Sequence, residues 1–179
     1  MANRNFSPFP VLKTVRLTLR QLVATDEKEI FALRSDEHVN KYLDRTPAQS
    51  IGDAKAFIEM IDKNIPASNA VYWAISLAGS ANLVGTICLF DFADDNSRAE
   101  IGYELLPGFQ GKGIMQEAVS TVIDFAIRHI GVKMIEAFTH AENGYSTRLL
   151  EKFNFEKTEI AEGDFVLFQL AAQEFNEIK

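Results

Sequence analysis

The chain has 179 residues, 47% of them hydrophobic and 24% charged, and a formal net charge of −7. That length suits one domain over residues 1–179, with a sizeable core. The acidic balance argues against a protein that grips nucleic acid through a basic stripe, although it would attract a cationic substrate. The lone cysteine, Cys88, cannot form an internal disulfide and argues against a zinc cluster. No apolar run approaches the roughly 20 residues that span a bilayer, and "MANRNFSPFP" has no leader-like apolar core, so a cytoplasmic protein without a membrane partner is expected.

In chain order, "TVRLTLRQL" (14–22) alternates Val15, Leu17 and Leu19 with polar residues and reads as a strand. "TDEKEIFALRSDEHVNKYL" (25–43) reads as a helix broken near Ser35, with Thr25 or Asp26 as N-cap. Residues 50–65 form a second helical region, with Ala54, Phe57, Ile58 and Ile61 on one stripe. "AVYWAISLA" and "NLVGTICLF" are strands joined by the hairpin signal "GSAN", and Cys88 is expected to be buried in the second. "RAEIGYELL" (98–106) is a further strand. The glycine-rich "PGFQGKG" then leads into a helix carrying Met115, Ala118, Val119, Val122, Ile123 and Ala126, ending near Gly131. A strand at 132–138, a short helix at 143–154 capped by Asn143, and two strands, "FEKTEIA" and "DFVLFQL", close the chain. This order predicts an α/β (α+β) fold: a mixed, mostly antiparallel sheet with helices on both faces and one βαβ crossover. An exposed strand edge offers a route to a homodimer, but no residue marks one.

The stretch "PGFQGKGIMQEA" (107–118) poses the functional question. It is not a Walker loop, because Gly113 follows Gly111-Lys112 where a hydroxyl would hold magnesium. It is not a dinucleotide fingerprint, because Gln116 stands where the third glycine belongs and the preceding strand carries Glu100 and Glu104. A glycine turn at a helix N-terminus still turns backbone N–H groups toward an anion, with Lys112 at its rim. The dipole alone contributes about 0.3–2 kcal/mol, against about 8 kcal/mol for a micromolar ligand, so contacts beyond a phosphate are required. A plain connecting turn is the alternative.

"QGKGIM" (110–115) resembles the acyl-CoA loop of the GNAT N-acetyltransferases, Gln/Arg-x-x-Gly-x-Gly/Ala, with Gln110 and Gly113 matching and Met115 departing from the strict pattern. That departure occurs in the branch resembling ribosomal-protein N-terminal acetyltransferases. "AEIGYEL" (99–105) resembles the strand before the loop, "NGYSTRLLEKFNF" (143–155) the Asn-x-x-Ser-x-x-Leu…Gly-Phe segment after it, with Asn154 replacing the glycine, and "TVRLTLR" that branch's first strand. The resemblance spans most of residues 14–170. It implies a core of about 14–171 with a GNAT-type sheet, acetyl-CoA as acetyl-donor cosubstrate, no metal, and direct transfer to an amine acceptor. It implies acetyl-CoA contacts from Leu105, Leu106, Gln110, Gly111, Lys112, Gly113, Ile114, Met115, Asn143 and Ser146. Leu105 and Leu106 would act through their main chain, and Asn143 would bind pantetheine, cap its helix, or both.

The acceptor's proton decides the chemistry. An α-amine of pKa about 7.7–8.0 is substantially neutral near pH 7.4, whereas a lysine near 10.4 is neutral about one part in a thousand. Glu100 is the candidate base, in an Ala-Glu-Ile context similar to that in which the family's histone-modifying members place a glutamate; a solvated strand residue or an ion-pair partner of Arg98 or Lys133 is the alternative. Glu104, on the same face, is the second choice, equally suited to binding substrate. Many family members supply a tyrosine acid from the following helix, but that position aligns with Leu150. The resemblance to the ribosomal-protein branch implies Ser146, one turn earlier, as the donor to the leaving thiolate; a helix-surface or capping hydroxyl is the alternative, and Tyr145 points about 100° away. His140 is a candidate to line the site or else a loop residue. The function expected is acetyl transfer to a primary amine, first a protein or peptide N-terminus. A small amine (aminoglycoside, polyamine, amino-acid derivative) and a non-catalytic CoA-binding module are the alternatives.

Overall fold

The computed structural model describes residues 6–64 and 70–177. Eight strands form one sheet: β1 (Leu12–Lys13), β2 (Leu17–Gln21), β3 (Val71–Leu77), β4 (Leu83–Phe90), β5 (Arg98–Leu105), β6 (Met134–His140), β7 (Glu156–Glu162) and β8 (Phe165–Ala171), in spatial order β1-β2-β3-β4-β5-β6-β8-β7. Every neighbouring pair is antiparallel except β5 and β6. The helices are α1 (Glu27–Ser35), α2 (Glu37–Asn40), α3 (Ile51–Asn64), α4 (Ile114–Phe125), α5 (Gly144–Lys152) and α6 (Ala172–Glu177).

Strand alternation divides the core between the two faces. Leu17, Leu19, Trp73, Ile75, Ile87, Leu89, Ile101 and Ile135 pack with Val119, Val122 and Ile123 of α4 and Leu150 of α5. Phe6, Phe9 and Trp73 belong to this packing, whereas Tyr72 lies on the other face against Phe57. Phe6 is buried, Phe9 meets the Trp73 ring edge-on, and the Trp73 indole donates to the Pro10 carbonyl at 2.7 Å. On the other face, Ala74 and Leu83 pack against Ile30 of α1 and Ala54 and Ile58 of α3. The Cys88 thiol lies on that face, where burial, with help from Glu104, pushes its pKa up to about 12.

The predicted break near Ser35 falls at Asp36, whose carboxylate caps α2 by accepting from the His38 and Val39 N–H groups. Asp26 does not cap α1 with its side chain; it binds the Arg20 guanidinium at 2.7 and 2.8 Å and accepts from Val23 N–H. α4 runs on as a π-helical turn, Ala126–Ile130, to Gly131 at φ +83°. β6 lies two residues later than expected, which places His140 at its end and not in the loop beyond. The expected reach of the second helical region to Ile65 lies outside the described residues. Strand β1 and helix α6 are additions that the hydrophobic pattern did not indicate.

Candidate active site

The parallel pairing of β5 with β6 covers three residue pairs and ends at Glu100 opposite Glu136. Ile101–Leu105 continue past it, about 13 Å of strand at roughly 3.3 Å per residue. The Leu106 N–H donates to the Val84 carbonyl. By ladder alternation, the main-chain groups of residues 101, 103 and 105 face away from β4, toward the opening beside β6. An extended ligand can pair there as a strand would. The Leu105 N–H is such a group, while its carbonyl accepts from Gln110 Nε2 at 2.9 Å. Leu106 differs from the expectation that its main chain is open to pantetheine. Its N–H is taken by Val84, and its carbonyl accepts from Phe109 N–H.

At the mouth of the opening lies the glycine loop. Gly111 and Gly113 have φ of +72° and +73°, a left-handed conformation that favours glycine. Gly113 starts α4, and the first helical carbonyl bond is Glu117 N–H to Gly113 O. The N–H groups of Ile114, Met115 and Gln116 precede that bond and have no partner within the helix. The Ile114 and Met115 side chains are buried, so these residues can offer a ligand only their main chain. Lys112 folds back to donate to the Gly108 carbonyl at 2.7 Å and stays exposed. Orphan amides, exposed left-handed glycines and an opened sheet together fit a phosphate followed by an extended arm, as in CoA.

Sequence reasoning missed the device that shapes this loop. Arg16, just before β2, donates to the Lys112 carbonyl at 3.0 Å and the Gly113 carbonyl at 3.1 Å. Carbonyls drawn to one side leave the neighbouring N–H groups to face the other. Glu117 accepts from Arg16 at 2.6 Å and from the Thr14 hydroxyl. Partial burial would raise the Glu117 pKa, but the Thr14 and Arg16 hydrogen bonds outweigh it and hold the carboxyl below its usual range. Paired this way, the acid in the first turn of α4 repels an anion less. The sequence pattern places Arg16 inside an alternating strand over 14–22, but β2 begins only at Leu17.

Glu100 and Glu104 lie on the α1–α3 face of β5, as alternation predicted. Arg98 binds Asp91 and Glu136, each at 2.9 Å. Glu104 is clamped: Arg45 lays Nη1 and Nη2 on its two oxygens at 2.6 and 2.7 Å. The Arg45 Nε donates to Asn40, whose amide donates in turn to the carbonyls of Arg34 and Asp36.

On the opposite face, α5 begins where the Asn143 side chain accepts from Ser146 N–H at 3.2 Å. Asn143 therefore caps its helix. The Ser146 hydroxyl meets the Tyr103 hydroxyl at 2.8 Å, a partner that sequence reasoning did not identify. Tyr145 is exposed, and Leu150 is fully buried in the core. Asn154 ends α5 at φ +59°, the left-handed turn that explains a glycine in the resembling motif, and Phe155 is buried directly after it. Beyond the end of β6 lies a cavity of about 380 Å³ lined by Lys41, Tyr42, Asp44, His140, Asp164 and Phe165 among others. The His140 ring lies 5.3 Å from Tyr42 and 5.6 Å from Phe165, in the wall of this cavity. Among the described residues, no group of three or more His, Cys, Asp or Glu could hold a metal ion, and no helix is long and apolar enough to cross a membrane.

This arrangement, a sheet parted beside a glycine-shaped helix N-terminus, is the frame of a CoA-dependent acyltransferase. Residues 16–156 match the acetyltransferase (GNAT) domain family. The chain is 34% identical to the uncharacterized N-acetyltransferase YoaA of Bacillus subtilis (strain 168), over 83% of this chain and 84% of that protein. It is also 34% identical to the uncharacterized N-acetyltransferase p20 of Bacillus licheniformis, over 92% and 97%. Among solved structures, a GNAT-family acetyltransferase from Bacillus anthracis superposes with a TM-score of 0.78 at 21% identity, covering 92% of this chain and 99% of that one. The spermidine N-acetyltransferase of Vibrio cholerae, solved with CoA and spermine, has a TM-score of 0.78 at 20% identity, covering 91% and 99%. The chain belongs to the GNAT family and is an acetyltransferase of that type.

Proposed function

We propose that this protein transfers the acetyl group of acetyl-CoA to a primary amine, first of all the α-amine of a protein or peptide N-terminus. The observation that carries the reading is the parting of β5 from β6 with the amide-lined loop at its mouth. Residues Gln110–Met115 would hold the pyrophosphate and the Leu105 main chain the pantetheine, bringing a thioester to the level of Glu100 and Ser146. The cavity beside His140 supports acceptor entry from the α2 side. Its open wall suits one end of a longer chain, and an α-amine needs little help to lose its proton. Glu100 is the base, acting directly or through water; Glu104, held by Arg45, serves the acceptor wall. The reading treats residues 1–179 as one domain working in the cytoplasm.

A polyamine or other small amine is the second reading. Asp44 and Asp164 line the cavity and would attract an ammonium, and the Vibrio cholerae structural neighbour was solved with spermine.

The test begins with calorimetric titration of acetyl-CoA, followed by turnover with free-N-terminus peptides and with polyamines. Saturable micromolar binding and peptide turnover are expected. No binding at millimolar acetyl-CoA would remove the reading. Glu100→Gln should keep CoA affinity and lose rate, with a deficit that shrinks as pH rises and the amine deprotonates unaided. Unchanged turnover would take Glu100 out of the mechanism.

A further inference from the structure

Tyr103, on the part of β5 that runs past its pairing with β6, and Ser146 of α5 meet hydroxyl to hydroxyl at 2.8 Å. Tyr103 packs against the apolar core, where burial pushes its phenol up to about 12 despite its hydrogen bond with Ser146. A phenol is a better donor than an aliphatic alcohol, so the shared hydrogen bond favours Tyr103 O–H donating to Ser146 Oγ. That choice has a consequence. A serine hydroxyl that accepts from a neighbour has its own hydrogen left to point elsewhere, and a hydroxyl that accepts one bond while donating another is polarised by the first. Ser146 is only partly buried and stands beside the opening, whereas Leu150, one turn later, offers no polar group.

We propose that Tyr103 is a positioning residue that fixes the Ser146 hydroxyl as a donor to the sulfur of CoA; this rests on the acetyl-transfer reading above. In the transfer step the amine nitrogen bonds to the thioester carbonyl carbon. The C–S bond breaks and its electron pair goes to sulfur. The ammonium proton goes to Glu100 or to water. Sulfur leaves as a thiolate, stabilised by the Ser146 O–H bond. Tyr103 stays protonated throughout; it orients Ser146 and transfers nothing itself. The phenol that many relatives are expected to carry on the following helix is thus replaced by a serine on that helix, supported by a phenol on the facing strand.

The test does not need the acceptor. CoA carrying ¹³C at the carbon bonded to sulfur is added to wild-type, Tyr103→Phe, Ser146→Ala, Ser146→Thr and double-variant (Tyr103→Phe, Ser146→Ala) proteins, and the bound thiol is titrated by NMR. A donor to the thiolate lowers its pKa. The wild-type complex should therefore hold about three- to tenfold more thiolate at a given pH than the Tyr103→Phe and Ser146→Ala complexes. Ser146→Thr should restore part of the effect, and the double variant should match Ser146→Ala. Equal midpoints in all complexes, with CoA bound, overturn the proposal and leave the acetyl-transfer reading standing. A shift in Ser146→Ala alone overturns the role of Tyr103. Failure of wild-type protein to bind CoA removes the acetyl-transfer reading and this inference with it.

Discussion

Arg45 and Glu104 form a two-pronged ion pair across 59 residues of sequence, with side-chain exposures of 18% and 14%. It joins the segment after α2 to the sheet face beside the opening. Removing one partner leaves a charge with little water around it. Arg45→Ala should cost about 1–3 kcal/mol, less than the roughly 3–5 kcal/mol of a fully buried pair because some solvent remains. Arg45→Met with Glu104→Met should recover much of that loss. Thermal denaturation measures both, and acetyl-CoA affinity should stay within about twofold; a destabilised double variant no better than Arg45→Ala would contradict the account.

The Arg16 clamp makes a second prediction. Arg16→Ala should weaken acetyl-CoA binding about threefold to tenfold by calorimetry, since the amides of residues 114–116 lose their fixed direction. The carboxyl of Glu117 titrates lower in the folded than in the unfolded protein. Its contribution is therefore fully present above the unfolded pKa of about 4.3 and is lost as pH falls through the folded value. Glu117→Gln should lower stability at pH 7, where that contribution is fully present, and flatten the acid limb below about pH 4.5, so that the gap to wild type narrows as pH falls. An acid limb identical to wild type would contradict the role given to Glu117.

Asn143 separates capping from ligand binding. Asn143→Ala removes the acceptor for Ser146 N–H and should cost about 1 kcal/mol in thermal stability. Asn143→Asp keeps an acceptor and should hold stability within a few tenths of a kcal/mol. If the Asn143 amide also donates to pantetheine, Asn143→Asp should still raise the KM for acetyl-CoA. An unchanged KM would confine Asn143 to its cap.

What could be read in the sequence was local. The glycine turn, the alternation that puts Glu100 and Glu104 on one face, the break near Ser35 and the Asn143 cap each depend on residues within one or two turns of each other. What escaped was held by distant partners. Nothing around Arg16 points to Lys112 or Gly113, and nothing around Glu104 points to Arg45, because an ion pair has no periodicity. Nothing around Tyr103 points to Ser146, because only the packing of α5 brings the two hydroxyls together. The start of β6 was misplaced by two residues because Val132 and Lys133 continue the apolar alternation, while their backbone belongs to the connection after Gly131.

The Arg16 clamp also has a bearing on how the protein is born. Synthesis releases Arg16 some 96 residues before the carbonyl it must hold. Closing so long a loop carries an entropic cost and belongs to the slow, non-local part of assembly. The glycine loop therefore acquires its ligand-ready shape only after the first strand and the middle of the chain have met. A nascent or misassembled chain would carry every residue of the motif and still lack a receptor for acetyl-CoA. Because such a ligand binds the finished fold alone, a concentration 100 times its Kd would deepen that fold's stability by about 2.7 kcal/mol. The metabolite would thus act as an inspector of its own binding protein, sparing finished copies from proteolysis and leaving unfinished ones exposed.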